Sequence, residues 1–198
     1  AALMKRADAD IAPFIDKVRP IIEAVRTEGD KALSRFAREL DKADVPPTGI
    51  LVTEAEFDAA FKALAPDVRE AIEFAVTAIR NFHEEQLPEP MWLKETSPGA
   101  FAGDRWHPIP SVGLYVPRGK GSFPSVTMMT SVPAVVAGVP EIAIFTPPAA
   151  DGTVDAGVLV AARLVGVKRV YKCGGAGAIA AAAYGTETIS KVAKIVGP

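Results

Sequence analysis

Two hydrophobic periods divide the chain. From residues 12 to 44, Ile15, Val18, Ile21, Ile22 and Val25, then Leu33, Phe36 and Leu40, recur three and four positions apart. That is the period of one helix face, and it predicts two amphipathic helices. Gly29-Asp30 between them reads as a short joint: a glycine to stop one helix and an aspartate to cap the next. Pro46-Pro47 ends the pattern, and Ile50-Leu51-Val52 is a short extended run. Thr53 with Glu56 three residues on makes a capping-box signature, so a third helix is expected to begin there. Pro66, suited to a first helical turn, opens the longest helical pattern, with Val68, Ile72, Phe74, Val76, Ile79 and Phe82 running towards Gln86.

Between Pro88 and Pro110 the helical period fades, and turn pairs and both tryptophans appear. Two short antiparallel strands fit, Trp92 to Glu95 and Ala100 to Pro108, with Ser97-Pro98-Gly99 as the turn. Beyond this seam apolar runs of strand length alternate with helical stretches. Val112 to Val116, Glu141 to Phe145, Arg169 to Cys173 and Val192 to Val196 are the runs. Phe123 to Ala137 (disturbed at Pro133), Val154 to Val165 and Ala176 to Tyr184 are the helices. Near-continuous apolar strands in that alternation imply parallel strands covered on both faces. The fold class is therefore α/β, with a helical region over residues 1–87, linking strands over 88–110 and an α/β domain over 111–198.

One stretch organises the chemistry. Val112 to Val116, the loop Pro117 to Gly121 and the following helix form a strand-loop-helix unit. In open α/β sheets ligands bind at the carboxyl ends of strands, where the next helix aims its N-terminal N–H groups into the crevice. Arg118 and Lys120 add positive charge, so an anionic ligand is the functional expectation, against an ordinary exposed loop with two solvated cations. Gly174-Gly175-Ala176-Gly177-Ala178-Ile179-Ala180 also follows a strand and opens a helix, and residues 175–180 match GxGxxA. The acidic residue expected about twenty positions later has no counterpart before the chain ends. A glycine turn used only for packing is the competing reading.

Composition narrows the classes. With 198 residues, 49% hydrophobic content and a net charge of −2 spread along the chain, a large core is possible and the basic surface of a nucleic-acid binder is absent. No apolar run is long enough for a membrane span, and no signal-peptide pattern stands at the N-terminus. A cytoplasmic location is the expectation. Cys173 has no partner cysteine and ends an apolar strand, which fits a small core residue. His83 and His107 lack metal-ligand spacing, and no serine has a GxSxG context, so no metal site and no hydrolase nucleophile is expected within the chain. His83 falls at a helix C-terminus, where an imidazole is electrostatically favourable. The chain opens at AALMKR and stops at KIVGP without a closing element, as a fragment would.

The sequence resembles the histidinol dehydrogenase family along nearly its whole length. The resemblance is carried by VRTEGDKAL (25–33), AIEFAVTAIRNFHEEQ (71–86), VGLYVP (112–117), FPSVTMM (123–129), AVVAGVPEI (134–142) and GGAGAIAAAAYGTETISKVAKIVGP (174–198). It implies a pair of incomplete Rossmann-like domains with smaller helical pieces in an intertwined homodimer. This chain would supply the helical part and most of one such domain, a parallel sheet with helices on both faces.

Carried over by residue, Tyr115 matches a tyrosine that contacts NAD in the family. Gly177 stands where the family's GGAQAIAALAYGT has a cofactor-contacting glutamine, so a side chain with donors and an acceptor is missing. A cofactor-contacting asparagine would follow GP, where this chain ends at Pro198. The acid/base pair and the zinc ligands of the family lie farther downstream, which leaves no catalytic and no metal residue here. Arg118-Gly119-Lys120 departs from the family's GLYVPGG. The resemblance implies NAD- and zinc-dependent oxidation of L-histidinol to L-histidine, with a small-molecule substrate. The alternatives are a related dehydrogenase for another polar alcohol and a non-catalytic binding module.

Overall fold

A computed structural model of the chain describes residues 12–119 and 121–198. The opening AALMKR and Lys120 lie outside the described residues. Helices α1 (Ala12–Glu28) and α2 (Asp30–Phe36) are followed by a π-helical turn, Ala37–Asp41, and by α3 (Glu54–Ala63) and α4 (Pro66–Glu84). A hairpin of β1 (Met91–Ser97) and β2 (Ala100–Arg105) leads into β3 (Ser111–Tyr115), α5 (Pro124–Val136), β4 (Glu141–Thr146), α6 (Ala156–Val165), β5 (Arg169–Lys172), α7 (Gly175–Tyr184) and β6 (Lys194–Val196). Among the described residues no helix is long and apolar enough to cross a membrane.

The four strands of the main sheet run parallel in the order β5-β4-β3-β6. Side chains alternate across it, as the two-residue period of a strand requires. Val112, Leu114, Val116, Ile144 and Val170 face a core built with Phe57, Ile72, Val76 and α6. Ala143, Phe145 and Tyr171 face the opposite core, built with Val25, Leu33 and the alanines of α7. The helical region therefore builds no core of its own: α3 and α4 cover one face and α1 and α2 the other. Ile50–Val52 adds an antiparallel edge outside β5, with Val52 donating to the Val170 carbonyl at 2.9 Å and Lys172 donating to that of Ile50 at 2.8 Å.

Local chemistry sets the element ends. The Thr53–Glu56 capping box forms as expected, with the Thr53 N–H donating to the Glu56 carboxylate at 2.9 Å and Glu56 N–H donating to Thr53 Oγ1 at 3.3 Å. Pro66 opens α4. Helix α6 begins later than its apolar run, because Asp155 caps it by accepting from Val158 N–H at 3.0 Å. Helix α5 runs through Pro133 to Val136. One expectation needs correction. Gly29, at φ 57°, does stop α1, but Asp30 is no cap. It is buried as the first residue of α2, and its carboxylate accepts from Thr186 Oγ1 at 2.5 Å and from Thr188 Oγ1, while its N–H donates to the Glu187 carboxylate at 2.9 Å. The acid locks α2 to the α7–β6 connection, a partner 156 residues away that local sequence cannot reveal.

Candidate cofactor site

With β5, β4 and β3 laid down in one direction and β6 added on the other side of β3, the strand order reverses between β3 and β6. The carboxyl ends there frame the crevice in which doubly wound sheets bind ligands. Tyr115 ends β3 at this point, and Gly197 passes so close that a Cβ on it would lie 2.6 Å from the Tyr115 carbonyl oxygen. The Pro117–Gly121 loop leaves the same end of β3.

Tyr115 and Gly177 are brought to one place. The Tyr115 hydroxyl accepts from Gly175 N–H at 3.1 Å, across the first turn of α7. Gly174 caps α7 without a side-chain bond and packs on Pro147 so closely that a Cβ would lie 2.5 Å from its ring. Gly175, at φ 57°, faces open space. The N–H groups of Ala176 and Gly177 lie in the turn where a helix supplies no acceptor of its own, so two donors and the positive end of the helix are left at the start of α7. Gly177 itself is buried. A Cβ on it would point at Leu33, Phe36 and Ile21, at 3.5 to 3.9 Å, so its missing side chain is directed between α7 and the α1–α2 pair.

The glycine run therefore has the local form of a dinucleotide fingerprint, strand then helix, but not its usual place. It follows β5, two strands from the switch point, whereas the turn at the switch point is the loop after β3. Sequence spacing cannot show this, because strand order is set by tertiary packing. In the loop, Arg118 is exposed, donates to the Pro148 carbonyl at 3.4 Å and forms no ion pair among the described residues. Lys120, the second expected cation, lies outside the described residues. Ser122 Oγ donates to the Asp155 carboxylate at 2.6 Å, which ties the loop to the N-terminus of α6.

Two cavities meet at Arg118 and Asp155. One of about 190 Å³ is bounded by Arg118, Ser122, Phe123, Thr146 and Pro147; the other, about 390 Å³, lies over Ala59, Ala63 and Leu159 with Glu56 at its far side. Glu56 in turn pairs with the nearly buried Lys172 at 2.5 Å. Asp155 and Lys172 escaped the sequence reading. An N-cap pattern ahead of an apolar run was the available signal for Asp155; Lys172 carries none.

An anionic dinucleotide fits what is present: free helix N–H groups, a glycine with open space before it, a tyrosine hydroxyl and an unpaired guanidinium. A metal does not. Among the described residues no three His, Cys, Asp or Glu side chains converge. His83 Nδ1 meets Gln86 Oε1 at 2.7 Å at the end of α4, and His107 is exposed. Cys173 is buried, and burial raises its thiol pKa far above the ordinary value, with Asp30 and Asp41 adding to the effect, so it is no nucleophile.

A family model described as histidinol dehydrogenase matches residues 4–198. A histidinol dehydrogenase homolog from Rhizobium meliloti (strain 1021) is 70% identical over all of this chain and 43% of its own length. A histidinol dehydrogenase from the same organism is 50% identical, over 91% of this chain and 41% of its own length. The crystal structure of histidinol dehydrogenase from Elizabethkingia anophelis superposes with a TM-score of 0.90 at 34% identity, covering 98% of this chain and 43% of that one. The chain spans less than half the length of these relatives.

Proposed function

Because the chain belongs to the histidinol dehydrogenase family, we propose that it forms the cofactor-binding part of an NAD-dependent dehydrogenase that oxidises L-histidinol to L-histidine in histidine biosynthesis. The observation that carries this reading is the convergence of Tyr115 with the first turn of α7 beside the strand-order switch. Tyr115 packs its ring against the second core and holds the turn through its hydroxyl. The Ala176 and Gly177 N–H groups and Arg118 take the negative charge of the pyrophosphate, and Gly175 lets it approach the backbone. When bound, the nicotinamide accepts the hydride released by the alcohol carbon. Zinc, and the acid/base pair that moves the hydroxyl proton, belong on this reading to the half of such proteins that lies beyond residue 198, as does the closing of a homodimer. The 198-residue chain by itself then binds NAD but turns nothing over, and histidinol-dependent NADH formation by the purified chain would count against that assignment.

A second reading has support of its own. The chain is closer to the Rhizobium homolog than to the histidinol dehydrogenase of the same organism, and Arg118 puts a cation where the family's GLYVPGG has glycine. Both favour a related dehydrogenase acting on a different polar alcohol. NAD reduction by the full-length protein, assayed with L-histidinol and with other small polar primary alcohols, decides between the two. For the cofactor itself, Tyr115→Phe removes one neutral hydrogen bond, and NAD affinity measured by calorimetry is expected to fall roughly two- to tenfold. Unchanged affinity would remove the Tyr115 hydroxyl from the site.

A further inference from the structure

The glycine turn lacks its acidic partner in sequence, yet the fold brings one to it from elsewhere. Between the first turn of α7 and the end of α2 lies a cavity of about 110 Å³, lined by Leu33, Phe36, Leu40, Gly175, Gly177 and Asp41. Its other lining groups are apolar, glycine or the buried Cys173 thiol, so Asp41 supplies the only carboxylate there. Asp41 is half-buried and forms no hydrogen bond or ion pair among the described residues; Arg118 reaches it only through space. It stands last in the π-helical turn, an irregularity that recurs at functional sites, and the next residue, Lys42, is held at φ 60°, the left-handed region that a residue with a side chain seldom occupies. The backbone is thus bent to deliver a carboxylate, unpartnered, opposite Gly177.

Resting on the NAD reading, we infer that Asp41 binds the vicinal hydroxyls of the cofactor's adenosine ribose in this cavity and so selects NAD over NADP. The chemistry matches in kind and size. An ionised carboxylate only accepts hydrogen bonds, and a pentose edge offers two donors side by side. The cavity, about 110 Å³ with Asp41 in its lining, has room for that edge. A phosphate on the 2′ oxygen would meet a negative charge, which is the discrimination that an acidic residue provides in dinucleotide folds. Gly177 lines the same cavity, and a Cβ there would point at Leu33, Phe36 and Ile21. Burial raises the Asp41 pKa above its ordinary value and Arg118 pulls it back, so the ionised group costs the fold stability and Asn removes that cost.

The test uses the full-length protein, titrated calorimetrically with NAD, NADP and the 2′-deoxyadenosine analogue of NAD. Asp41→Asn is expected to weaken NAD about tenfold or more, to narrow the preference over NADP by a similar factor, and to leave thermal stability without cofactor equal or higher. The wild type should lose affinity for the deoxy analogue while the variant barely distinguishes it from NAD. Wild type that binds NAD normally, with Asp41→Asn leaving both the affinity and the NADP ratio within twofold, overturns the role of Asp41 and leaves the NAD reading standing. Equal losses for NAD and NADP, with the deoxy analogue weakened alike in both proteins, also overturn it. Wild type that binds none of the three overturns both.

Discussion

The two faces of the sheet are built from different materials. Against one lie α3 to α6, with Phe57, Ile72, Val158, Leu159 and Val160 closing on Val112, Leu114 and Ile144. Against the other lie α1, α2 and α7, where the buried residues of α7 are glycine and alanine, a carboxylate, Asp30, is buried with them, and a cavity stays open beside Gly177. Large branched side chains bring more apolar area and more dispersion contacts per residue than alanines do, so the first face contributes most of the stability. The second face trades area for close backbone approach, and the proposed cofactor contacts of Tyr115, the first turn of α7 and Asp41 stand on it. On the proposed cofactor reading, stability and binding are thus divided between faces of one sheet.

The aliphatic face should tolerate truncation least. Phe57→Ala is expected to cost about 3–5 kcal/mol, since the ring is fully buried and its neighbours belong to two helices and the sheet. Urea denaturation reads it directly, and a loss under about 1 kcal/mol would mean that this face can collapse around the gap. NAD affinity, corrected for the unfolded fraction, should not change.

Asp30→Ala tests the other face. It leaves the hydroxyls of Thr186 and Thr188 without their charged acceptor and should cost about 2–3 kcal/mol, less than Phe57→Ala. Asp30→Asn keeps one acceptor oxygen and should cost less than Ala. If the two substitutions are equally harmless, the carboxylate does not lock α2 to the α7–β6 connection.

The ion pair of Glu56 with Lys172, at the edge of the aliphatic face, gives a pH signature. Burial alone would raise the Glu56 carboxyl, but Lys172 and the two Thr53 groups outweigh it, and the pKa lies below its ordinary value of 4.5. A carboxyl lowered in the folded state stabilises at pH above its unfolded value, and that contribution is lost as pH falls through the lowered folded value. Glu56→Gln should therefore remove about 1–3 kcal/mol at pH 7, where it leaves Lys172 buried without a counter-charge, and the gap to wild type should close as pH drops below 4.5. A gap that stays constant into acid would show that the ion pair is not its source.

Much of this was legible from the residues. The alternation of apolar strands and helices, the capping box at Thr53 and the hairpin turn at Ser97-Pro98-Gly99 are local signals, and each of these elements forms. Strand β2 ends at Arg105, short of Pro108, while β6 starts at Lys194 after Val192 and α6 starts at Ala156 after Val154. What stayed hidden is long-range. Asp30 looked like a cap because its partners, Thr186 and Thr188, are distant in sequence. The glycine run matched a strand-helix fingerprint, but its place two strands from the switch point is invisible along the chain. Asp41 had no motif at all, since a π-helical turn leaves no signature in a three-four period.

The smallest expected effect sharpens the comparison most, because it converts the glycine face locally into the material of the other. A Cβ at Gly177 would make ordinary contacts of 3.5 to 3.9 Å with Leu33, Phe36 and Ile21, so Gly177→Ala fits and should add about 0.5–1 kcal/mol through helix propensity and packing. Gly177→Gln carries the same backbone gain, and adds an amide that must either turn out of the cavity towards the opening or lie against Leu33 and Phe36. If it turns out and meets the cofactor, one neutral hydrogen bond raises NAD affinity roughly two- to tenfold over Gly177→Ala. If it stays in, the cavity beside Asp41 fills and NAD affinity falls below that of Gly177→Ala. Calorimetric titration of both variants, with thermal unfolding in the absence of cofactor, separates backbone from contact. A stability gain shared by the two, with NAD affinity equal to wild type in each, would mean that a side chain at position 177 serves the packing of α7 on α1 and α2 and makes no cofactor contact.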